Sequence, residues 1–253
     1  MVQPRRLSSL SMSRLNFHVG SSVIEVVEQW PHLGHIITNR CTDDADIMNR
    51  RNCVICQINN VLCCFGKLPV WVKSKLLYTY CSSLCGCELW DLWDGTITSV
   101  CVAWRKALRR VWNLPFNTHG YFLFELSNTL PVFDSVCKRA MSFIFKSVNS
   151  DCDLVSFCAR HAILYGCMLS LLGRSALHCS LRYKFDIQCL LNPKFNHCSV
   201  IWNHYKSSVS SELLANVAVL RDMLHFRDNP SLCSGLFDTG KIDAAIRYIC
   251  TES

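Results

Sequence analysis

Val102-Ala103-Trp104-Arg105-Lys106-Ala107-Leu108-Arg109-Arg110-Val111-Trp112-Asn113-Leu114-Pro115 separates into two faces when wound as a helix. Val100, Trp104, Ala107, Leu108 and Val111 recur at helical spacing and form one apolar stripe. Arg105, Lys106, Arg109 and Arg110 gather on the other side. At about 100° per residue, positions 105 and 109 share a face, as do 106, 109 and 110. The pattern predicts a helix from about Ile97 to Trp112, stopped by Asn113, Leu114 and Pro115. Proline cannot continue the hydrogen-bond ladder and restricts the residue before it. A basic helix anchored by tryptophans suits a polyanion, most simply nucleic acid. The same pattern also describes a solvated face on an ordinary core helix.

Most of the chain around this helix also reads as helix. Thr42 or Asp43 caps a run whose stripe is Ile47, Val54, Ile58, Val61, Leu62 and Phe65, and Gly66 ends it. Pro69 opens the next, with Val70, Val72, Leu76, Leu77 and Tyr80 apolar. Pro131 opens another, from Phe133 to Val148. A stripe from Leu154 to Leu172 is read as one helix stopped by Gly173, and Phe185 to Lys206 as loop. Two further stripes, at Leu213–Leu224 and Ile242–Ile249, read as helices. Ahead of all these, Phe17 to Ile37 alternates as short strands, with a turn at Gly20-Ser21-Ser22 and a further piece at His35-Ile36-Ile37. The expected class is mainly α, with a short N-terminal β-strand pair.

Composition narrows the function. The 253 residues can bury the core of one or two domains. Half are hydrophobic and 18% are charged, which excludes a wholly disordered chain. The net charge of +7 favours anionic partners. Met1 to Leu15 carries Arg5, Arg6 and Arg14 but no uninterrupted apolar run, so no secretory signal is read there. No apolar run reaches the ~18 residues of a membrane span. The expected compartment is intracellular, nuclear or cytoplasmic, with the eighteen cysteines reduced.

Ordinary packing competes with each candidate site. Cys53-x-x-Cys56 has the spacing of half a zinc site, but the other half is lacking, and the pair is read as core thiols. Cys158, His161 and Cys167 could join His178 and Cys179, yet the spacing is not that of a zinc knuckle, and no metal site is expected. Phosphate loops, serine-hydrolase elbows and HExxH are absent from the sequence. Trp104 and Trp112 are read as core, while Trp90 and Trp93 are open to either core packing or stacking on bases.

An ordered series of segments carries a resemblance. Gly86-Cys87-Glu88-Leu89-Trp90-Asp91-Leu92, then Val102 to Pro115, then Thr118-His119, resembles the region downstream of the reverse transcriptase domain in non-LTR (LINE-type) retrotransposons. Upstream, Phe17-His18-Val19-Gly20, Trp30 and His32-Leu33-Gly34-His35-Ile36-Ile37 resemble the end of the palm and its primer-grip segment. Downstream, Leu130-Pro131-Val132, Cys179-Ser180-Leu181-Arg182-Tyr183 and Ile246-Arg247-Tyr248-Ile249-Cys250-Thr251 fit the same tail.

The serine- and arginine-rich 1–15 is expected to be disordered, and the resemblance implies end-of-palm strands over 16–38, a thumb-like helical region over 39–116 and a helical tail over 117–253. It implies a primer-grip-like site at Trp30, Leu33, Gly34 and His35, and nucleic-acid contacts from Arg105, Lys106, Arg109 and Arg110. The parent enzyme makes DNA on an RNA template with magnesium, which paired carboxylates hold. No Tyr/Phe-x-Asp-Asp hairpin occurs here, and Asp43-Asp44-Ala45-Asp46 reads as a helix start. The expectation is therefore a truncated remnant of an RNA-directed DNA polymerase, with no catalytic residues and no cofactor of its own. Its partner would be RNA or an RNA–DNA duplex, with no membrane and no small-molecule substrate. The competing expectation is a helical protein-interaction module without a nucleic-acid role, and a cysteine enzyme stands third.

Overall fold

The computed structural model describes residues 17–24, 27–82, 84–114, 116, 120–127, 129–166 and 168–208. The expected disordered 1–15 and the helices expected after Leu213 lie outside these. The chain falls into two compact units, Met1–Asp46 and Ile47–Ser253. The architecture is mainly helical, as the periodicity predicts.

The first unit holds two antiparallel hairpins. In one, β1 (Phe17–Val19) pairs with β2 (Ser22–Ile24) across a turn in which Gly20 has φ 62°. In the other, β3 (Gln29–His32) pairs with β4 (His35–Thr38), with Trp30 opposite Ile37 and His32 opposite His35. Its two-residue loop has φ 48° at Leu33 and 83° at Gly34. Positive φ at both central residues is what a turn matching the strand twist requires. The single strand pair expected at the N-terminus is thus two pairs. Each is a separate two-stranded sheet.

Helix α1 (Asp44–Phe65) begins with Asp44 and Asp46, whose charge suits the positive end of the helix dipole. It stops at Gly66, where a Cβ would lie 2.7 Å from the Leu62 carbonyl oxygen. Pro69, extended at ψ 147°, introduces α2 (Val70–Leu76), which continues into a wide turn at Leu77–Cys81. After a 3-10 turn at Cys87–Leu89 come α3 (Ile97–Trp112), α4 (Gly120–Ser127), α5 (Val132–Val148) and α6 (Asp153–Leu164). Then follow α7 (Leu171–Tyr183), a 3-10 turn at Ile187–Leu191 and a helix over 197–208, α8.

Two boundaries differ from expectation. The stripe from Leu154 to Leu172 is two helices. The first ends at Leu164, ahead of Gly166. The second restarts because the Ser170 hydroxyl accepts the Gly173 amide at 3.0 Å. Gly173 is therefore a buried residue of α7 and does not stop a helix. The segment expected to be loop after Phe185 contains α8, whose Ile201 and Tyr205 are buried. Local pattern misses it because only these two positions face inward strongly.

One core runs through the second unit. It takes Val54, Ile58 and Val61 from α1, and Ile97, Val100, Trp104, Leu108 and Val111 from α3. Val136, Ala140, Met141 and Ile144 come from α5, with Ile163, Ala176, Leu190 and Ile201 behind them. Each fully buried branched side chain adds about 1.5–3 kcal/mol by transfer from water. No helix among the described residues is long and apolar enough to cross a membrane.

Candidate nucleic-acid interface

Helix α3 divides as its sequence divides. Ile97, Val100, Ala103, Trp104, Ala107, Leu108 and Val111 are buried. Lys106 and Arg110 are exposed, and Arg105 and Arg109 are half-buried. The helix ends with Asn113 at φ 53°; the Asn113 amide returns to the Arg110 carbonyl, and the Leu114 amide reaches the Arg109 carbonyl at 2.8 Å. This left-handed closure satisfies the last carbonyls of the basic turn.

Two of the basic side chains meet neutral groups. Arg110 Nη1 donates to Asn59 Oδ1 at 2.8 Å, and the Arg109 guanidinium stands 5.7 Å from the Phe116 ring centre. The Arg105 stem passes within 3.4 Å of where a Cβ on Gly120 would sit. Burial, and then the Arg105 charge, lower the pKa of Arg109. The two cations repel, and like charges four residues apart on a helix cost about 0.2–0.5 kcal/mol. Among the described residues the ion pairs are His35–Asp46, Arg174–Asp91 and Arg182–Asp134. Arg105, Lys106 and Arg110 are in none of them.

Trp30, Leu33, Gly34 and His35 share the β3–β4 hairpin, in the first unit. Trp30 is 59% exposed and Leu33 87%. His35 is held: its Nδ1 lies 3.1 Å from Asp46 Oδ2, while Asp46 Oδ1 accepts the Ile36 amide at 3.0 Å. Asp46 is therefore a buried clasp on β4 as well as a helix-start acid.

The tryptophans divide. Trp104 is buried and meets Tyr78 edge-on, Trp112 is half-buried, and Trp90 is buried. Trp93 is 48% exposed, yet its Nε1 donates to the Arg174 carbonyl at 3.2 Å. A groove of about 670 Å³ lies on the apolar side of α3, lined by Val100 and Trp104 together with Lys138, Arg139 and Lys146. Arg139 is committed to the Leu84 and Ser82 carbonyls.

The cysteines distribute differently from expectation. Cys53 and Cys56 are exposed along α1, which corrects their reading as core thiols, and Cys63 and Cys64 are exposed on the same helix. An apolar-looking residue on a helix whose buried face is already filled by Val54, Ile58 and Val61 faces outward. Cys158 is exposed too, and so is His161. His178 and Cys179 do meet a cysteine, but it is Cys137 of α5. Burial pushes the Cys81 and Cys101 thiols up to about 11 and Cys87 to about 12, which disfavours their thiolate forms. A hydrogen bond with Cys179 pushes Cys137 down to about 6 against its own burial, and Cys179 is pushed up by the same contact. Cys137 has no exposed surface for a substrate to reach.

No family model, no curated protein and no solved structure matches this chain.

Proposed function

We propose that the chain is a post-palm region of a reverse-transcriptase-like polypeptide of the non-LTR retrotransposon type, and that its biochemistry is salt-dependent binding to RNA or an RNA–DNA duplex through α3. The observation that carries this reading is the basic face of α3: Arg105, Lys106, Arg109 and Arg110 on one helix, with Arg110 oriented by the neutral Asn59. Self-repulsion on a surface turned away from the core is relieved by a polyanion. The ordered sequence resemblance around this helix supplies the family. Without paired metal carboxylates in the sequence, the chain alone does not polymerise.

The test is fluorescence anisotropy with a labelled RNA–DNA hybrid, beside primer extension on an RNA template with magnesium and all four deoxynucleotides. Binding that heparin reverses, with no incorporation, is the expected result. Absence of binding at low salt, or incorporation above background, would overturn it.

A second reading is favoured by the surface of α6. Leu154, Phe157, Tyr165 and Met168 are each more than half exposed, and His161 stacks between Phe157 and Tyr165 at 6.1 and 5.2 Å. An apolar ladder of this kind suits docking to a protein. Binding of a hybrid by the chain, abolished by changes in α3 and untouched by changes in α6, separates the two readings.

A further inference from the structure

We propose that Cys137 of α5 and His178 and Cys179 of α7 bind one zinc ion between the two helices. The two sulfur atoms and a ring nitrogen of His178 all lie within 4.8 Å of one another. Zinc bonds of about 2.3 Å to sulfur and about 2.0 Å to nitrogen set neighbouring ligands of a tetrahedron about 3.5–3.8 Å apart. The group is thus within a small side-chain adjustment of ligand spacing. The three positions are brought together by the packing of α5 on α7, and no short sequence motif announces them.

The surroundings suit a thiophilic cation. Cys137 and Cys179 are fully buried. His178 Nδ1 is buried without a hydrogen-bond partner, a deficit of about 1–3 kcal/mol in ordinary circumstances. The imidazole is fixed by edge-on contacts to Trp93 at 5.1 Å and Phe133 at 5.5 Å. Two thiolates neutralise a divalent zinc, so the filled site carries no net charge into the apolar layer. Magnesium and calcium, which require oxygen ligands, are excluded by the donor set. Three protein ligands leave the fourth position to water. Behind the site, Asp134 Oδ1 accepts Arg182 Nη2 at 2.9 Å and the Tyr183 hydroxyl at 2.7 Å. That ties the same two helices one turn from Cys137.

The proposal is independent of nucleic-acid binding, and the whole chain is used to test it. Reduced protein, stripped with chelator, is titrated with zinc and with cobalt(II). One ion per chain is expected, with cobalt–thiolate absorption and a rise in melting temperature. Cys53→Ser/Cys56→Ser should keep all of this. His178→Gln, which leaves both buried thiols in place, should weaken zinc by at least ~100-fold, beyond the ~10–100-fold lost with an outer-shell partner, and should alter the cobalt spectrum. Cys137→Ser/Cys179→Ser should abolish both signals. No zinc bound by the reduced wild type, retention of the full cobalt spectrum in His178→Gln, or loss of zinc on changing Cys53 and Cys56 would each overturn it. So would a Cys137–Cys179 disulfide that persists under reductant.

Discussion

Arg110 reaches from α3 to α1, where its Nη1 donates to the Asn59 carboxamide oxygen at 2.8 Å. A neutral amide fixes the direction of the guanidinium without cancelling its charge. Replacing Asn59 with Asp should turn this contact into an ion pair. An exposed pair adds at most about 1 kcal/mol of stability. Affinity for an RNA–DNA hybrid should fall, and the slope of log K against log salt should shrink by about 0.9, the share of one phosphate contact. Anisotropy titrations at several salt concentrations read both. An unchanged slope would remove Arg110 from the interface.

Leu33 holds a left-handed backbone at φ 48° with its side chain 87% exposed. A branched residue is strained there by about 1–2 kcal/mol, and asparagine tolerates the conformation. Leu33→Asn should stabilise the β3–β4 hairpin by about 1 kcal/mol. Hydrogen exchange at the Asn39 amide, which bonds to the Glu28 carbonyl at 3.0 Å, should slow accordingly.

Asp134 Oδ1 accepts Arg182 Nε, Arg182 Nη2 and the Tyr183 hydroxyl. Asp134→Ala strands a buried phenol and leaves the Arg182 guanidinium without its carboxylate. Breaking a fully buried pair costs ~3–5 kcal/mol. Here 38% of the Arg182 side chain reaches solvent. The expected loss is therefore about 2–3 kcal/mol, set mostly by the orphaned hydroxyl and the part-buried charge. Urea denaturation measures it, and a loss below about 1 kcal/mol would show that water replaces the carboxylate.

Helix α3 was legible because its face is set by local spacing: Trp104, Leu108 and Val111 must lie together in any helix. Gly66 was legible for the same reason. The break between α6 and α7 was not, because Leu154, Phe157, Leu164, Tyr165 and Met168 resemble a core stripe yet are exposed. Periodicity reports a face and says nothing about what covers it. The Asp46 clasp on His35 and Ile36 needs a hairpin folded back onto a helix start, which no window of sequence contains. His178 and Cys179 stood out as adjacent donors, but Cys137 reads as one more small apolar position on α5. Their meeting is a property of helix packing alone.

Burial, and then the Lys138 charge, hold the His197 imidazole below its ordinary pKa. As pH falls below about 6.5 the unfolded chain takes up a proton that the folded chain refuses. The contribution of this group is present above that pH and is lost as pH falls through the lowered folded value. In His197→Gln, melting temperature should decline less between about pH 7.5 and pH 5 than in the wild type. Parallel declines would mean that burial and Lys138 do not hold the His197 imidazole below its ordinary pKa.

The most direct measurement compares the salt dependence of hybrid binding in the wild type and in Arg109→Gln/Arg110→Gln. Arg110 is exposed and Arg109 half-buried, so circular dichroism is recorded alongside to establish that the variant keeps the helical fold. Nucleic-acid recognition by this face predicts weaker binding and a slope reduced by about 0.9 for each phosphate contact removed. Equal affinity and equal slope in the two proteins would contradict it and leave α3 a core helix with a solvated basic side.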